Sequence, residues 1–185
     1  MKNKALDIQT YHYKNSENFL IDANIWLYIS APPSAKLRGE TTQYSAVLKD
    51  LLKSKANLYI SSTILSEYLN RYIRIEFNAH HKKKYANFKE FRKSADFLAV
   101  GAKAAGEAKD IAKICVTKDD NFSSCTISDV LGDFESGTND FNDGVILHFC
   151  RTHDCKLITH DGDFIAGGID VLTGNKKLLA ECPSN

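Results

Sequence analysis

Acidic residues break the apolar runs of this chain at four separate places, and each break falls where a strand should end or a helix begin. Asp22 follows Phe19-Leu-Ile21. Glu67 lies seven residues after Leu58-Tyr-Ile60, beyond a serine pair. Asp140 and Asp143 open the apolar stretch that runs to Cys150. Asp161 and Asp163 follow Leu157-Ile-Thr159. A carboxylate beside a core is costly unless something compensates it. A divalent cation is the simplest compensation for several carboxylates at once, and an all-oxygen ligand set favours Mg2+ or Mn2+ over zinc.

The elements around these acids alternate. Phe19–Ile21 reads as a buried strand with an acid at its C-terminal end. Asn24 is positioned to cap the helix that follows, and Pro32-Pro33 should stop it. A second helix is expected over about 42–54, with Tyr44, Val47, Leu48, Leu51 and Leu52 on one stripe. Leu58–Ile60 reads as a strand, followed by a helix starting at Ser61 or Ser62. Ile64, Leu65, Tyr68, Leu69, Tyr72 and Ile75 form its apolar side, and Glu67, Asn70, Arg71 and Arg74 its polar side. Residues 80–117 read as one or two helices interrupted near Gly101 and Gly106, and 118–139 as loop or short helix. Asp140–Thr152 is a strong, largely apolar helix, 156–159 a strand and 170–172 a last strand. Alternating strands and helices imply an α/β fold with three α/β/α layers around a mainly parallel sheet, carrying a helical insertion. We read one domain over 1–185, with 1–17 as an N-terminal extension or edge element and about 80–137 as the helical insertion and loop. Ligands of such sheets bind at strand C-terminal ends, where Asp22 and Asp161 fall.

The 43% hydrophobic content is enough for a sizeable core, and the net charge of +1 says nothing about partners. Its distribution says more. Basic residues outnumber acids from Arg71 to Lys113, most densely at Lys82-Lys83-Lys84, whereas from Asp119 to Asp163 only Arg151 and Lys156 oppose the acids. A basic arm beside an acidic centre suits an anionic polymer held by one and cut at the other. The plain alternative for the lysine run is a solvated helix face. The five cysteines are odd in number and form no Cys-x-x-Cys pair. There is no apolar N-terminal segment and no membrane-length apolar run, so the expectation is a reduced, cytoplasmic protein with free thiols.

Four motifs in order resemble the PIN domain, the family of metal-dependent ribonucleases that includes the VapC toxins. They are Phe19-Leu-Ile-Asp-Ala-Asn-Ile-Trp26, Tyr59-Ile-Ser-Ser-Thr-Ile-Leu-Ser-Glu-Tyr68, Asp143-Gly-Val-Ile146 with Gly144 replacing the usual alanine, and Leu157-Ile-Thr-His-Asp-Gly-Asp-Phe164. Each is weak alone; the set at strand–helix junctions is specific. The resemblance implies hydrolysis of RNA, with Asp22, Glu67, Asp143 and Asp161 holding Mg2+ or Mn2+. Asp163 is expected to supply a further metal ligand, and Asp140 to bind the metal or orient its water. Asn24 and Thr159 are expected to orient the ligating acids, and Arg71, Arg74, Lys82, Lys83 and Lys84 to contact substrate phosphates. It also allows a small antitoxin protein as partner, and a homodimer. The chain exceeds a minimal VapC-type toxin before Phe19 and between the Glu67 and Asp143 helices.

His160 must lie near the site, although strand alternation can turn it away. His148 fits a boundary role, His80-His81 a solvated segment and Trp26 the core. The alternatives are a housekeeping RNA-processing nuclease, a non-catalytic nucleic-acid or protein-binding module on the same fold, or a phosphotransfer protein. Asn24, where a paired-Asp phosphatase loop needs a second Asp, disfavours the last.

Overall fold

The computed structural model describes residues 1–36 and 39–183. Its centre is β2 (Asn18–Ile21), in which Phe19, Leu20 and Ile21 are all at most 1% exposed. A strand buried on both faces has helices over each, so the fold is the expected three-layer α/β/α arrangement. Six strands form one sheet in the order β1-β6-β5-β2-β3-β4, and every pairing is parallel. The others are β1 (Lys4–Asp7), β3 (Asn57–Ile60), β4 (Val116–Thr117), β5 (Cys155–Ile158) and β6 (Asp170–Thr173). From β2 the chain builds outward through β3 to β4, then returns to the other side of β2 for β5 and β6. The order therefore reverses between β2 and β5, and a crevice opens beyond their C-terminal ends.

The extension before Phe19 is no loose arm. Lys4–Asp7 forms the outer strand β1, in parallel register with Asp170–Thr173. Its alternation is hard to see in Lys-Ala-Leu-Asp, because the strand is short and lies at a sheet edge.

The helices are α1 (Ala23–Ile29), α2 (Gly39–Ser54), α3 (Ser62–Glu76), α4 (Phe88–Arg92), α5 (Ala95–Ile114), α6 (Ile127–Glu135), α7 (Phe141–Thr152) and α8 (Lys176–Glu181). Asp22, not Asn24, is the residue that precedes α1 in extended conformation; Asn24 lies inside the helix and its side chain works elsewhere. Ser61 caps α3, its side chain accepting from the Ile64 amide. The glycines at 101 and 106 do not interrupt α5, which is continuous over 20 residues. Each costs about 1 kcal/mol relative to alanine, and the burial of Ala104, Ala108 and Ile111 along one face outweighs that cost.

An acid of α3 outside its expected polar side is buried: Glu76 is only 8% exposed and accepts the Ser34 amide at 2.9 Å. Beyond Glu76 the helix continues as a π-helical turn (Phe77–His81) into an aromatic cluster centred on the fully buried Phe91. His81 is not solvated: its ring stacks on Phe91 at 4.6 Å. All five cysteines carry free thiols, and among the described residues no helix is long and apolar enough to cross a membrane.

Helix α6 packs on α7 through a close approach at Gly144. A Cβ there would stand 2.7 Å from Val130 Cγ1, which explains glycine where the resemblance calls for alanine. Gly144→Ala should lower stability by about 1 kcal/mol, the overpacking cost exceeding the gain in helix propensity. With Val130→Ala in place, the same change should instead stabilise by several tenths of a kcal/mol. Denaturant melts of the double-mutant cycle measure this, and a coupling near zero would contradict the packing argument.

Candidate functional site

The crevice beyond β2 and β5 is a cavity of about 550 Å³ whose wall contains Asp22, Glu67, Asp140, Asp143, Asp161 and Asp163. The four sequence-expected acids thus come together from four elements: the end of β2, the second turn of α3, the first turn of α7 and the loop after β5.

Asp22 is the most buried of them, 4% exposed. Its Oδ2 accepts two hydrogen bonds, from Asn24 Nδ2 at 2.6 Å and Thr159 Oγ1 at 2.6 Å. Asn24 Nδ2 also reaches Thr159 Oγ1 at 3.0 Å, and Asn24 Oδ1 accepts the His160 amide at 3.3 Å. Thr159 Oγ1 in turn accepts the Asp161 amide at 3.0 Å. One polar network therefore ties the end of β2 to the loop after β5, with Asn24 and Thr159 orienting the acids as their sequence positions suggested.

Asp140 precedes α7 and its Oδ1 accepts the Asp143 amide at 2.8 Å, so one of its oxygens is committed to the helix cap. Asp161 Oδ1 accepts the Asp163 amide at 3.0 Å. Asp163 touches the cavity, but its carboxylate is 83% exposed and lies 3.8 Å from Lys177 Nζ. Glu67 Oε1 pairs with Arg71 NH1 at 3.0 Å.

The other basic residues are spread out. Arg74 lies over the Phe88 ring at 4.6 Å and lines a neighbouring groove. Lys84 is bound to Asp96 at 2.6 Å, whereas Lys82 and Lys83 are exposed. Lys82 lies fifteen residues beyond Glu67 along α3 and its extension, which at 1.5 Å per residue is about 20 Å from the acids. The lysine run is thus outside the acidic cavity.

His160 does turn away: its Nδ1 meets Tyr44 OH at 2.9 Å, and its ring lies edge-on to Tyr28 and Tyr44. His148 Nε2 lies 3.1 Å from Ser124 Oγ, a boundary role, and Trp26 is core at 1% exposure. Sequence reading missed Asn139. It is 8% exposed, lines the cavity, and has no hydrogen-bond partner for Oδ1 among the described residues. Its only signal was a polar side chain directly before Asp140.

The electrostatics are those of crowded acids. Burial pushes Asp22 up to about 6, with Glu67 and Asp161 adding to the rise and the Thr159 hydrogen bond opposing it. Burial also pushes Asp143 up to about 7, reinforced by Asp140, Asp22 and Asp161. In kind, this oxygen-only set suits a hard divalent cation. Among the described residues no three His, Cys, Asp or Glu side chains are already arranged to hold an ion.

The PIN domain profile matches residues 19–168, and the chain belongs to the PIN-domain family. Among solved structures it is similar to a chain of VapBC2 from Rickettsia felis, solved bound to a DNA fragment from their promoter. The identity is 17% over 84% of this chain and 98% of that one, with a TM-score of 0.53, a likeness of fold. No curated protein matches significantly.

The raised carboxyls have a consequence for stability. A folded-state carboxyl that holds its proton more tightly than the unfolded chain does adds no penalty below about pH 4, and a growing one as pH rises toward 7. Without divalent cations the protein should therefore lose stability between about pH 4 and 7. Asp143→Asn should flatten that slope and stabilise at pH 8 by about 1–2 kcal/mol, a figure reduced for partial solvent access. Melts in chelator from pH 4.5 to 8 test this; parallel curves for both proteins would refute it.

Proposed function

We propose that this protein is a Mg2+- or Mn2+-dependent endoribonuclease that hydrolyses RNA phosphodiester bonds. The observation that carries the reading is the convergence of Asp22, Glu67, Asp143 and Asp161 from four elements into one cavity, in a PIN-domain chain. These four carboxylates would hold the cation, with the second oxygen of Asp140 and the exposed Asp163 able to add to the set. When bound, the cation would supply positive charge toward the phosphate and leaving oxygen and acidify a water molecule.

The chain's own groups divide the remaining work. Thr159 and Asn24 hold Asp22 in one orientation through their bonds to Oδ2. Asp140, whose Oδ1 is anchored on the Asp143 amide, would bind the cation or orient its water through the second oxygen. Arg71 neutralises Glu67 in the free protein and meets a substrate phosphate when one enters. Arg74 extends that contact into the neighbouring groove. Lys82 and Lys83 lie too far away for the scissile phosphate and suit flanking ones, while Lys84 is occupied by Asp96. The fold likeness to VapBC2 supports a toxin role with a small antitoxin partner over a housekeeping nuclease. A reading frame for a small DNA-binding protein directly beside this one would support it further.

Incubated with single-stranded and structured RNA, the wild type should cleave with Mg2+ or Mn2+ and stop with chelator. Asp22→Asn and Asp143→Asn should each reduce the rate at least ~100-fold, since the amide keeps the size but removes a charge the cation requires. Equal rates in wild type and both variants would mean that the cavity is not the catalytic site.

Binding of RNA by an inactive variant, measured against salt, tests the lysines. Replacing Lys82 and Lys83 together by alanine should reduce the logarithmic salt slope by about 1.4, given ~0.7 per single-strand phosphate contact. Unchanged affinity and slope would leave these lysines without a role in RNA binding.

A further inference from the structure

Two further cavities open from the walls of the acidic one, and they differ from each other in chemistry. The first, lined by Ser62, Thr63, Ser66, Asn70, Arg74 and Asn142, is polar throughout and shares Glu67 and Arg71 with the acidic cavity. The second, of about 310 Å³, shares Asn24 and Arg71 with it. Its remaining walls are largely apolar, formed by Leu27, Tyr28, Ala35 and Ile75, with Ser34 and Lys36 supplying polar groups. Arg71 thus borders all three spaces: the hydroxyl-and-amide groove, the acidic centre and the partly apolar pocket.

We infer that the pocket walled by Leu27, Tyr28, Ala35 and Ile75 receives the base of the nucleotide on one side of the scissile phosphate, so that recognition of sequence is one-sided. The inference rests on the ribonuclease reading above and assigns its specificity. A pocket of this size, with Leu27, Tyr28, Ala35 and Ile75 beside Asn24, Ser34, Lys36 and Arg71, offers apolar walls to a flat heteroaromatic ring and polar groups to the ring's edge and its adjoining phosphate. Single-stranded RNA is read by such sites, with the base splayed out against aromatic or aliphatic walls and its edge hydrogen-bonded.

Two residues of the wall are braced from behind. The Tyr28 ring is held parallel to Tyr44 at 5.9 Å and edge-on to His160 at 5.9 Å. Ser34 is fixed by its amide on Glu76 and its hydroxyl on His80. The groove on the other side offers only polar groups and suits the sugar-phosphate backbone, which carries no sequence information. Among the described residues Arg71 makes one hydrogen bond, to Glu67, and its side chain is half exposed, so its guanidinium borders both subsites with donors to spare.

Ala35 and Ile75 allow the pocket to be filled from two walls. Calorimetric titration of the four nucleoside 5′-monophosphates and of ribose 5-phosphate, with and without Mn2+, should show one nucleotide binding wild type at least ~10-fold tighter than ribose 5-phosphate, about 1.4 kcal/mol. Ala35→Trp and Ile75→Trp, each checked for folding by its melting curve, should bring that nucleotide down to the level of ribose 5-phosphate. Sequencing the cut ends of a randomised RNA should show base bias at one neighbouring position in wild type, and loss of that bias in both variants while cutting continues. Affinities independent of the base, or an unchanged bias in the filled variants, would overturn the pocket and leave the nuclease reading intact. Base-selective nucleotide binding without any RNA cleavage would support the pocket and overturn the nuclease reading.

Discussion

The structure around the crevice depends on the hydrogen bonds that Asp22 receives. Its carboxylate sits at the end of the central strand, almost without access to water, and would be intolerable there without donors. Thr159 and Asn24 supply them, and in doing so bind together the two strands between which the sheet order reverses. Thr159 also receives the Asp161 amide, so the same three side chains shape the loop that brings the next acid in. The orientation of the site is therefore set by the central strands, while Glu67 and Asp143 are added to it from helices.

The acids oppose one another as well as the core. Asp140 is committed on one oxygen to the cap of α7, Glu67 is balanced by Arg71, and Asp22 and Asp143 are left to rise toward neutrality. Stability and function are drawn from different parts of the molecule here. The apolar strands hold the frame, and the frame tolerates an electrostatic mismatch at one end of the sheet.

Most of this was legible in the sequence because the strongest patterns and the chemistry coincide. Phe19-Leu-Ile21 is followed at once by Asp22 and Leu157–Thr159 within two residues by Asp161, and both runs mark the central strands correctly. The helix of Asp143 and the cap-like serines before α3 were equally plain. What was hidden depends on contacts between distant segments. Lys4–Asp7 is a strand only because β6 accepts it, and two residues, Val116 and Thr117, are too few for periodicity to reveal β4. Glycines at 101 and 106 suggested a break that tertiary packing overrides. Asn24 also has the composition of a cap, and only the fold shows that Asp22 takes the position before α1 and leaves the Asn24 side chain to bond Asp22 and Thr159. The lysine run gave no sign that Lys84 would be taken by Asp96, nor that His81 would stack on Phe91. The polar groove and the partly apolar pocket beside the acids are assembled from residues scattered over several elements, and no single stretch announces either.

The outer strand β1 has a bearing on how the molecule is made. Lys4–Asp7 pairs with Asp170–Thr173, and the Ala5 amide is bonded to the Cys182 carbonyl at 2.7 Å. During synthesis β1 leaves the ribosome well over a hundred residues before β6 does. β2, β3 and the helices between them can assemble while β1 waits as an unpaired segment, and that edge of the sheet pairs only when β6 arrives. Of the six strands the one made first is then among the last to be locked, and the edge closes as a late, long-range event.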